Sequence, residues 1–298
     1  MRRGTYSIVA RDPETGELGG AVQSHWFSVG SIVLWARPGV GAVATQSVAD
    51  PSYGPRTLDR MDSGLGAGVA MAELLDADSE SELRQVAAIG PTGEPAAHTG
   101  TGCIPDAGDA QGAHHSAQAN LMASPNVWPA MSAAFEAATG PLAHRLLAAL
   151  DAAEAAGGDV RGRQSAAFLV VPSSGEAWER VVELRVEDHA DPLGELRRLL
   201  GLQRAYELAG RGDELMAADQ PVEAGALYRR AAELAPESDE LLFWSGLALA
   251  HSGDLDAGVD AVRRAVQVHP GWAVLLDRLS PDFAPAGPQV RQALGRGN

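Results

Sequence analysis

Thr5-Tyr6-Ser7-Ile8-Val9-Ala10-Arg11-Asp12-Pro13 opens the regular structure of this chain. Tyr6, Ile8 and Ala10 alternate with Ser7 and Val9, the two-residue period of a strand. Pro13-Glu14-Thr15-Gly16 is a turn, and residues 18–22 read as the returning arm of a hairpin. The strand thus begins at a hydroxyl-bearing residue, preceded by Gly4. A Thr, Ser or Cys at the head of a core strand can take two roles once the bond before it is cut. Its side chain is the nucleophile, and its own α-amine, with a pKa of about 7.7–8.0, is the general base. One residue would then let a chain without a catalytic triad cleave amides.

Working outward, short segments alternate with Gly- and Pro-rich turns. Strands are predicted over 31–35, 40–46, 84–89, 96–99 and 116–122, with a closing hairpin over 164–171 and 178–186. Helices are predicted from Gly54-Pro55 onward, over 68–75, and over the Ala-rich runs 127–138 and 141–155, which Gly157-Gly158 stop. Strands, two helices, strands, two helices, strands is an order that two face-to-face sheets with helix pairs outside would satisfy. A mixed α/β sandwich of another topology satisfies it too. After Asp191-Pro192 the texture becomes helical and repetitive. At a period of about 34 residues, Gly212 matches Gly246, Leu215 matches Leu249, Arg229-Arg230 match Arg263-Arg264, Ala231 matches Ala265 and Pro236 matches Pro270. Such an array resembles tetratricopeptide repeats: two degenerate copies over 205–270, with 272–279 as a partial cap. The expected architecture is therefore α+β over residues 1–195 and a small all-α, tetratricopeptide-like domain over 196–298. The helical part suits assembly or the docking of a protein partner.

Composition narrows the chemistry. The 298 residues are 45% hydrophobic, 21% charged and 5% aromatic, a globular chain with an aliphatic core. Acids outnumber bases 39 to 23, so an electrostatic grip on nucleic acid or an anionic membrane is not expected. All 23 bases are arginine, which removes Schiff-base and P-loop lysine chemistry. Cys103 is the lone cysteine, so neither an intrachain disulfide nor a cysteine zinc cage is expected. No metal or cofactor site is predicted. The opening residues lack the uninterrupted apolar run of a signal peptide, and a cytoplasmic location is expected. Gly64-Leu65-Gly66-Ala67-Gly68 has the wrong spacing for a dinucleotide fingerprint, and His114-His115 are adjacent rather than four apart. His98 near Cys103 leaves open a Cys/His nucleophile pair, against a buried Cys packed as a small hydrophobe.

Further motifs carry a family resemblance. The opening stretch resembles that of the bacterial domain of unknown function 1028. So do Gly39-Val40-Gly41-Ala42-Val43-Ala44-Thr45-Gln46, Asp50-Pro51-Ser52-Tyr53-Gly54-Pro55 and Ala97-His98-Thr99-Gly100. Gln118-Ala119-Asn120, Gly162-Arg163-Gln164-Ser165-Ala166-Ala167 and Leu184-Arg185-Val186-Glu187-Asp188-His189 continue the match. That family looks like a branch of the N-terminal nucleophile hydrolases. The resemblance implies a four-layer αββα sandwich and amide-bond hydrolysis, without naming a substrate. Members commonly begin Met-Thr, whereas here Met1-Arg2-Arg3-Gly4 precedes Thr5. Exposing Thr5 then requires cutting Gly4–Thr5, by attack of the Thr5 oxygen on the preceding carbonyl. Gly before Thr also resembles the processing junction of proteasome β-subunits, although the lysine helper of those sites is missing.

Geometry then places candidate partners. The second strand should bring Gln23 or Ser24 near the Thr5 amine. The strand ending in Thr45-Gln46-Ser47 would offer backbone N–H groups to an oxyanion, and Asn120 a side-chain donor. His25, Trp26, Tyr53, His98 and Arg163 are candidate pocket residues, with Arg163 suited to a substrate carboxylate. The reading expects an amidohydrolase acting on a small amide or peptide-like metabolite and forming a homo-oligomer. Its rival is a non-catalytic binding protein in which Thr5 stays blocked.

Overall fold

A computed structural model describes residues 4–296; the Met1-Arg2-Arg3 segment named above lies outside the described residues. The chain divides into two compact units, with the boundary between Arg197 and Arg198.

The first unit is mixed α/β with two antiparallel sheets. In chain order it runs β1 (Thr5–Arg11), β2 (Leu18–Ser24), α1 (Gly30–Val33), β3 (Leu34–Arg37), β4 (Gly41–Ser47), α2 (Tyr53–Asp62) and α3 (Ala67–Asp76). A single 3-10 turn at Ser81–Leu83 leads to β5 (Arg84–Ile89), β6 (Pro95–Thr99), β7 (Gly108–Gly112) and β8 (His115–Asn120). Then come α4 (Val127–Ala137), α5 (Leu142–Ala155), β9 (Ser165–Val171) and β10 (Val182–Val186). The larger sheet has the order β10-β9-β2-β1-β8-β7 and the smaller β3-β4-β5-β6. The sheets face each other; α4 and α5 cover the outer side of the larger, α2 and α3 that of the smaller.

Strand periodicity decides what meets what. On β1, Tyr6, Ile8 and Ala10 turn outward to the helices, and Thr5, Ser7 and Val9 turn into the space between the sheets. Val9, Leu18, Val22, Val33, Leu34, Ala44, Ala87 and Ile89 fill that space as an aliphatic core. A second core of Val43, Val86, Ala88, Tyr53, Leu58, Met71 and Leu74 lies under α2 and α3. The central position of β1, hydrogen-bonded to β2 on one side and β8 on the other, fixes Thr5 opposite Ser24 and Asn120.

Three segments depart from the sequence reading. Residues 31–35 were expected to be one strand, but Ser28 turns left-handed (φ 56°) and α1 closes a helical turn that buries Val29 and Val33. An apolar run this short cannot separate strand from buried helical turn by period alone. The strand β7, Gly-Asp-Ala-Gln-Gly, has no apolar alternation to announce it. Its Asp109 instead accepts a hydrogen bond from Thr99 Oγ1 at 2.9 Å. The closing strand is shorter than the expected 178–186, and Trp178 is left exposed.

The helix α6 (Pro192–Ala217) begins in the first unit, where Leu193 and Leu196 are buried. The second unit continues with α7 (Pro221–Leu234), α8 (Asp239–His251), α9 (Leu255–Val268), α10 (Gly271–Arg278) and α11 (Gly287–Ala293). The helices α7 and α9 start one sequence period apart. Gly246 and Gly258 mark the tightest crossing: a Cβ on Gly258 would lie 2.5 Å from the Gly246 carbonyl oxygen. The last helix, α11, falls beyond the predicted partial cap; its Val290, with Ala286 at the N-cap, completes a core with Phe243, Val262 and Leu276. Among the described residues no helix is long and apolar enough to cross a membrane.

Candidate active site at the head of the first strand

Thr5 and Gly4 are both buried. The Thr5 Oγ1 hydroxyl donates to Ser24 Oγ at 3.2 Å, and Ser24 Oγ donates to the Gly4 carbonyl oxygen at 2.5 Å. Arg161 Nη2 donates to the same oxygen at 2.7 Å. The carbonyl carbon preceding Thr5 therefore carries two donors on its oxygen, one of them a guanidinium. Such polarisation favours attack at that carbon.

Arg161 is itself fixed by Asp159. The carboxylate accepts Arg161 Nε at 3.0 Å, Arg161 Nη2 at 2.7 Å, the Arg161 backbone N–H at 2.9 Å and the His25 backbone N–H at 3.3 Å. The left-handed pair Gly157-Gly158, which ends the run after α5, delivers this Asp159-Val160-Arg161 segment to Gly4. Sequence reasoning missed both residues. Their signal was an acid two places before an arginine, directly after a Gly-Gly stop.

Behind Thr5 lies a buried polar network. Gln46 Nε2 donates to the Thr5 carbonyl at 3.2 Å, to Gln85 Oε1 at 2.8 Å and to the Gln118 carbonyl at 3.3 Å, while its Oε1 accepts Ser7 Oγ at 2.6 Å. Gln85 Oε1 also accepts Asn120 Nδ2 at 2.9 Å, and Gln85 Nε2 reaches Thr99 and the carbonyls of Gly108 and Ala119. Gln118 Nε2 donates to Ser7 Oγ at 2.6 Å. Asn120 Oδ1, on a residue 1% exposed, has no hydrogen-bond partner. Gln85, Gln118 and Ser7 were not among the site residues expected from the sequence, because a glutamine or serine in a strand does not by itself mark a site.

The sequence-predicted residues sort by sheet face. Ser24, Asn120 and Gln46 lie with Thr5 between the sheets, and Ser47 ends β4 with φ 70°. Gln23 does not join them. One residue from Ser24 on a strand, it points to the opposite face, into a cluster with the Tyr6 hydroxyl and Glu154 beneath the helices. Burial, with the Glu154 charge second, pushes the Tyr6 phenol well above its usual range.

Tyr53 is likewise no pocket residue. It is 1% exposed in the core under α2 and α3, its hydroxyl donating to Asp78 Oδ2 at 3.0 Å. Burial and that carboxylate raise its pKa. His98 faces the same outer side, with Nε2 2.9 Å from the Ser81 carbonyl. Cys103 directs its thiol to the Arg84 carbonyl at 3.4 Å, so no Cys/His pair forms; burial raises the thiol pKa.

His25 is exposed; Trp26 is half-buried and uses its carbonyl to accept Ser165 Oγ at 2.5 Å. Arg163 pairs with Asp191 at 3.3 Å and Glu154 at 3.6 Å, and does not touch Gly4. The arginine at the Gly4 carbonyl is Arg161. Among the described residues no group of three His, Cys, Asp or Glu side chains is placed to hold a metal ion.

The fold and site define a mixed α/β protein with two facing antiparallel sheets and a buried threonine at the head of a central strand. The chain belongs to a family of unknown function, DUF1028, whose family model matches residues 5–196. It is similar to the crystal structure of protein SPO2555 from Silicibacter pomeroyi, itself assigned to DUF1028. Identity is 34% and the TM-score 0.61, covering 66% of this chain and 88% of that one. The Anbu protein (ancestral beta-subunit) from Yersinia bercovieri aligns at 13% identity and a TM-score of 0.33, over 66% of this chain and 93% of that one. That likeness is too slight to carry an argument. No curated protein matches the chain.

Proposed function

We propose that the protein is an amidohydrolase of the N-terminal nucleophile kind, acting on a small amide or peptide-like metabolite. Thr5 is the nucleophile once its bond to Gly4 is cut. The observation that carries this reading is the hydrogen-bond chain from Thr5 Oγ1 through Ser24 Oγ to the Gly4 carbonyl oxygen, with Arg161 on the same oxygen. The helix-sheet-sheet-helix layering, the αββα order of that superfamily, supports it as well.

In the cutting step the Thr5 oxygen bonds to the Gly4 carbonyl carbon and the C–N bond breaks. The hydroxyl proton passes to the departing Thr5 nitrogen, leaving an ester that water hydrolyses. The freed α-amine then serves as base for turnover: it takes the hydroxyl proton as Thr5 attacks a substrate amide and returns it to the leaving amine. Ser24 orients the hydroxyl and Gln46 holds the Thr5 carbonyl. The helical unit, with its 34-residue step, reads as a tetratricopeptide-like appendage for homo-oligomer formation or a protein partner.

The test is a panel of small amides assayed with wild type, Thr5→Ser and Thr5→Ala. Wild-type activity is expected to rise with pH through one ionisation near about 7–8, where the α-amine loses its proton. Thr5→Ser, which keeps an oxygen and an amine, should retain part of the rate and Thr5→Ala none. Turnover by Thr5→Ala near the wild-type rate refutes the mechanism. A chain that keeps Gly4 and turns over no amide favours the binding role.

A further inference from the structure

Gly4 sits in a cradle that admits no side chain. A Cβ built on it would lie 2.8 Å from Asp159 Oδ2 and 3.0 Å from both Asp159 Cγ and Oδ1. Flexible side chains often swing out of such contacts, but this one is pinned. Asp159 has a side chain 0% exposed, and it accepts the Arg161 Nε, Arg161 Nη2, Arg161 N–H and His25 N–H bonds described above. Moving it would release the guanidinium that holds the carbonyl oxygen.

Resting on the reading of Thr5 as nucleophile, this geometry has a consequence for the substrate. Self-cleavage and turnover pass through the same kind of species, an ester between an acyl group and Thr5 Oγ1. When Gly4 departs, Arg161 Nη2 and Ser24 Oγ lose their shared acceptor. An incoming carbonyl oxygen that takes its place brings its acyl α-carbon toward the position of the Gly4 α-carbon, beside Asp159.

We infer that Gly4 is a template for the substrate's acyl group: the site takes amides of unbranched acyl groups, glycyl or acetyl, with their carbonyl oxygen between Arg161 and Ser24. Asp159 is the wall that excludes an L-side α-substituent. In the acylation step the Thr5 oxygen bonds to the acyl carbon and its proton passes through the α-amine to the leaving nitrogen as the C–N bond breaks. Water then adds to the ester and releases the carboxylic acid. Arg161 acts at the oxygen that gains negative charge, the place where a fixed cation contributes most.

Two measurements test the inference separately from the nucleophile. The first follows self-cleavage of the full chain by intact mass, for wild type and Gly4→Ala. An overpacked methyl group at the scissile residue should slow release by about tenfold or more. The second compares glycyl p-nitroanilide with L-alanyl p-nitroanilide on the cleaved wild-type protein, where a glycyl preference of about tenfold or more is expected. This needs no variant, so a folding defect cannot mimic it. Gly4→Ala releasing at the wild-type rate, or equal turnover of the two anilides, overturns the acyl template and leaves Thr5 as nucleophile. A wild type that neither cleaves itself nor turns over either anilide overturns both readings.

Discussion

The space between the two sheets has two ends that use the same strands and fill them differently. At one end Val9, Leu18, Val22, Val33, Ala87 and Ile89 pack as an aliphatic cluster. At the other, Ser7, Gln46, Gln85, Gln118 and Asn120 occupy inward positions of the neighbouring strands, each at most 1% exposed. Buried amides cost free energy unless every donor and acceptor is met, and aliphatic residues would fill the same volume at lower risk. Nearly every polar atom here is met; Asn120 Oδ1, at the strand position paired with Thr5, is an exception. The difference teaches that the polar end is built for fixed geometry around Thr5, whereas the apolar end supplies cohesion.

Substitutions can break this contrast. Gln85→Leu should be the most damaging, by about 4 kcal/mol, because it leaves the buried Asn120 amide without a partner and takes one hydrogen bond each from Gln46, Thr99 and two strand carbonyls. Urea unfolding measures it, and a loss under about 1 kcal/mol would show that the network is loosely coupled. At the apolar end Leu18→Ala should cost about 3 kcal/mol through a cavity alone, without disturbing the hydrogen bonds at Thr5.

A polar group outside both ends sharpens the comparison through pH. A hydrogen bond from Arg84 at 2.8 Å, helped by Tyr53, lowers the Asp78 carboxyl from its ordinary 3.8 to about 2. The unfolded chain then binds the proton at higher pH than the folded one. The stability from Asp78 is complete above about pH 4 and is lost as pH falls toward 2, by about 2 kcal/mol. Acid unfolding of Asp78→Asn should lack that part of the slope. Smallest of all, Arg37→Gln should change stability by less than about 1 kcal/mol, since Asp59 and Asp62, its partners at 2.7 and 3.2 Å, are mostly exposed.

The contrast also explains what was legible in the sequence. Alternation in Tyr6, Ile8 and Ala10, the Gly-Pro helix start at Gly54-Pro55 and the Gly157-Gly158 stop are local signals, and the corresponding elements lie where those signals put them. Pairing of the first hairpin was enough to bring Ser24 to Thr5, because a strand partner follows from the turn. The side-chain face was less secure: a shift of one residue separates Ser24 from Gln23, and Gln23 was placed on the wrong side of the sheet. Asp159 and Arg161 were hidden for a different reason. They reach Gly4 from more than half the unit's length away in sequence, and the sheet order β9-β2-β1-β8, with a bridge between Met122 and Asp159, makes them neighbours. Gly-Asp-Ala-Gln-Gly of β7 shows the same limit, since its place at a sheet edge depends on Thr99 and β8 rather than on its own residues.

The central claim is that the Thr5 hydroxyl attacks the carbonyl it already faces through Ser24. The most direct test is the intact mass of purified wild type beside Thr5→Ala, followed over time in the same buffer. Wild type is expected to lose everything before Thr5, and Thr5→Ala to keep it. Retention of Gly4 in both proteins, or its loss from both at one rate, would contradict it.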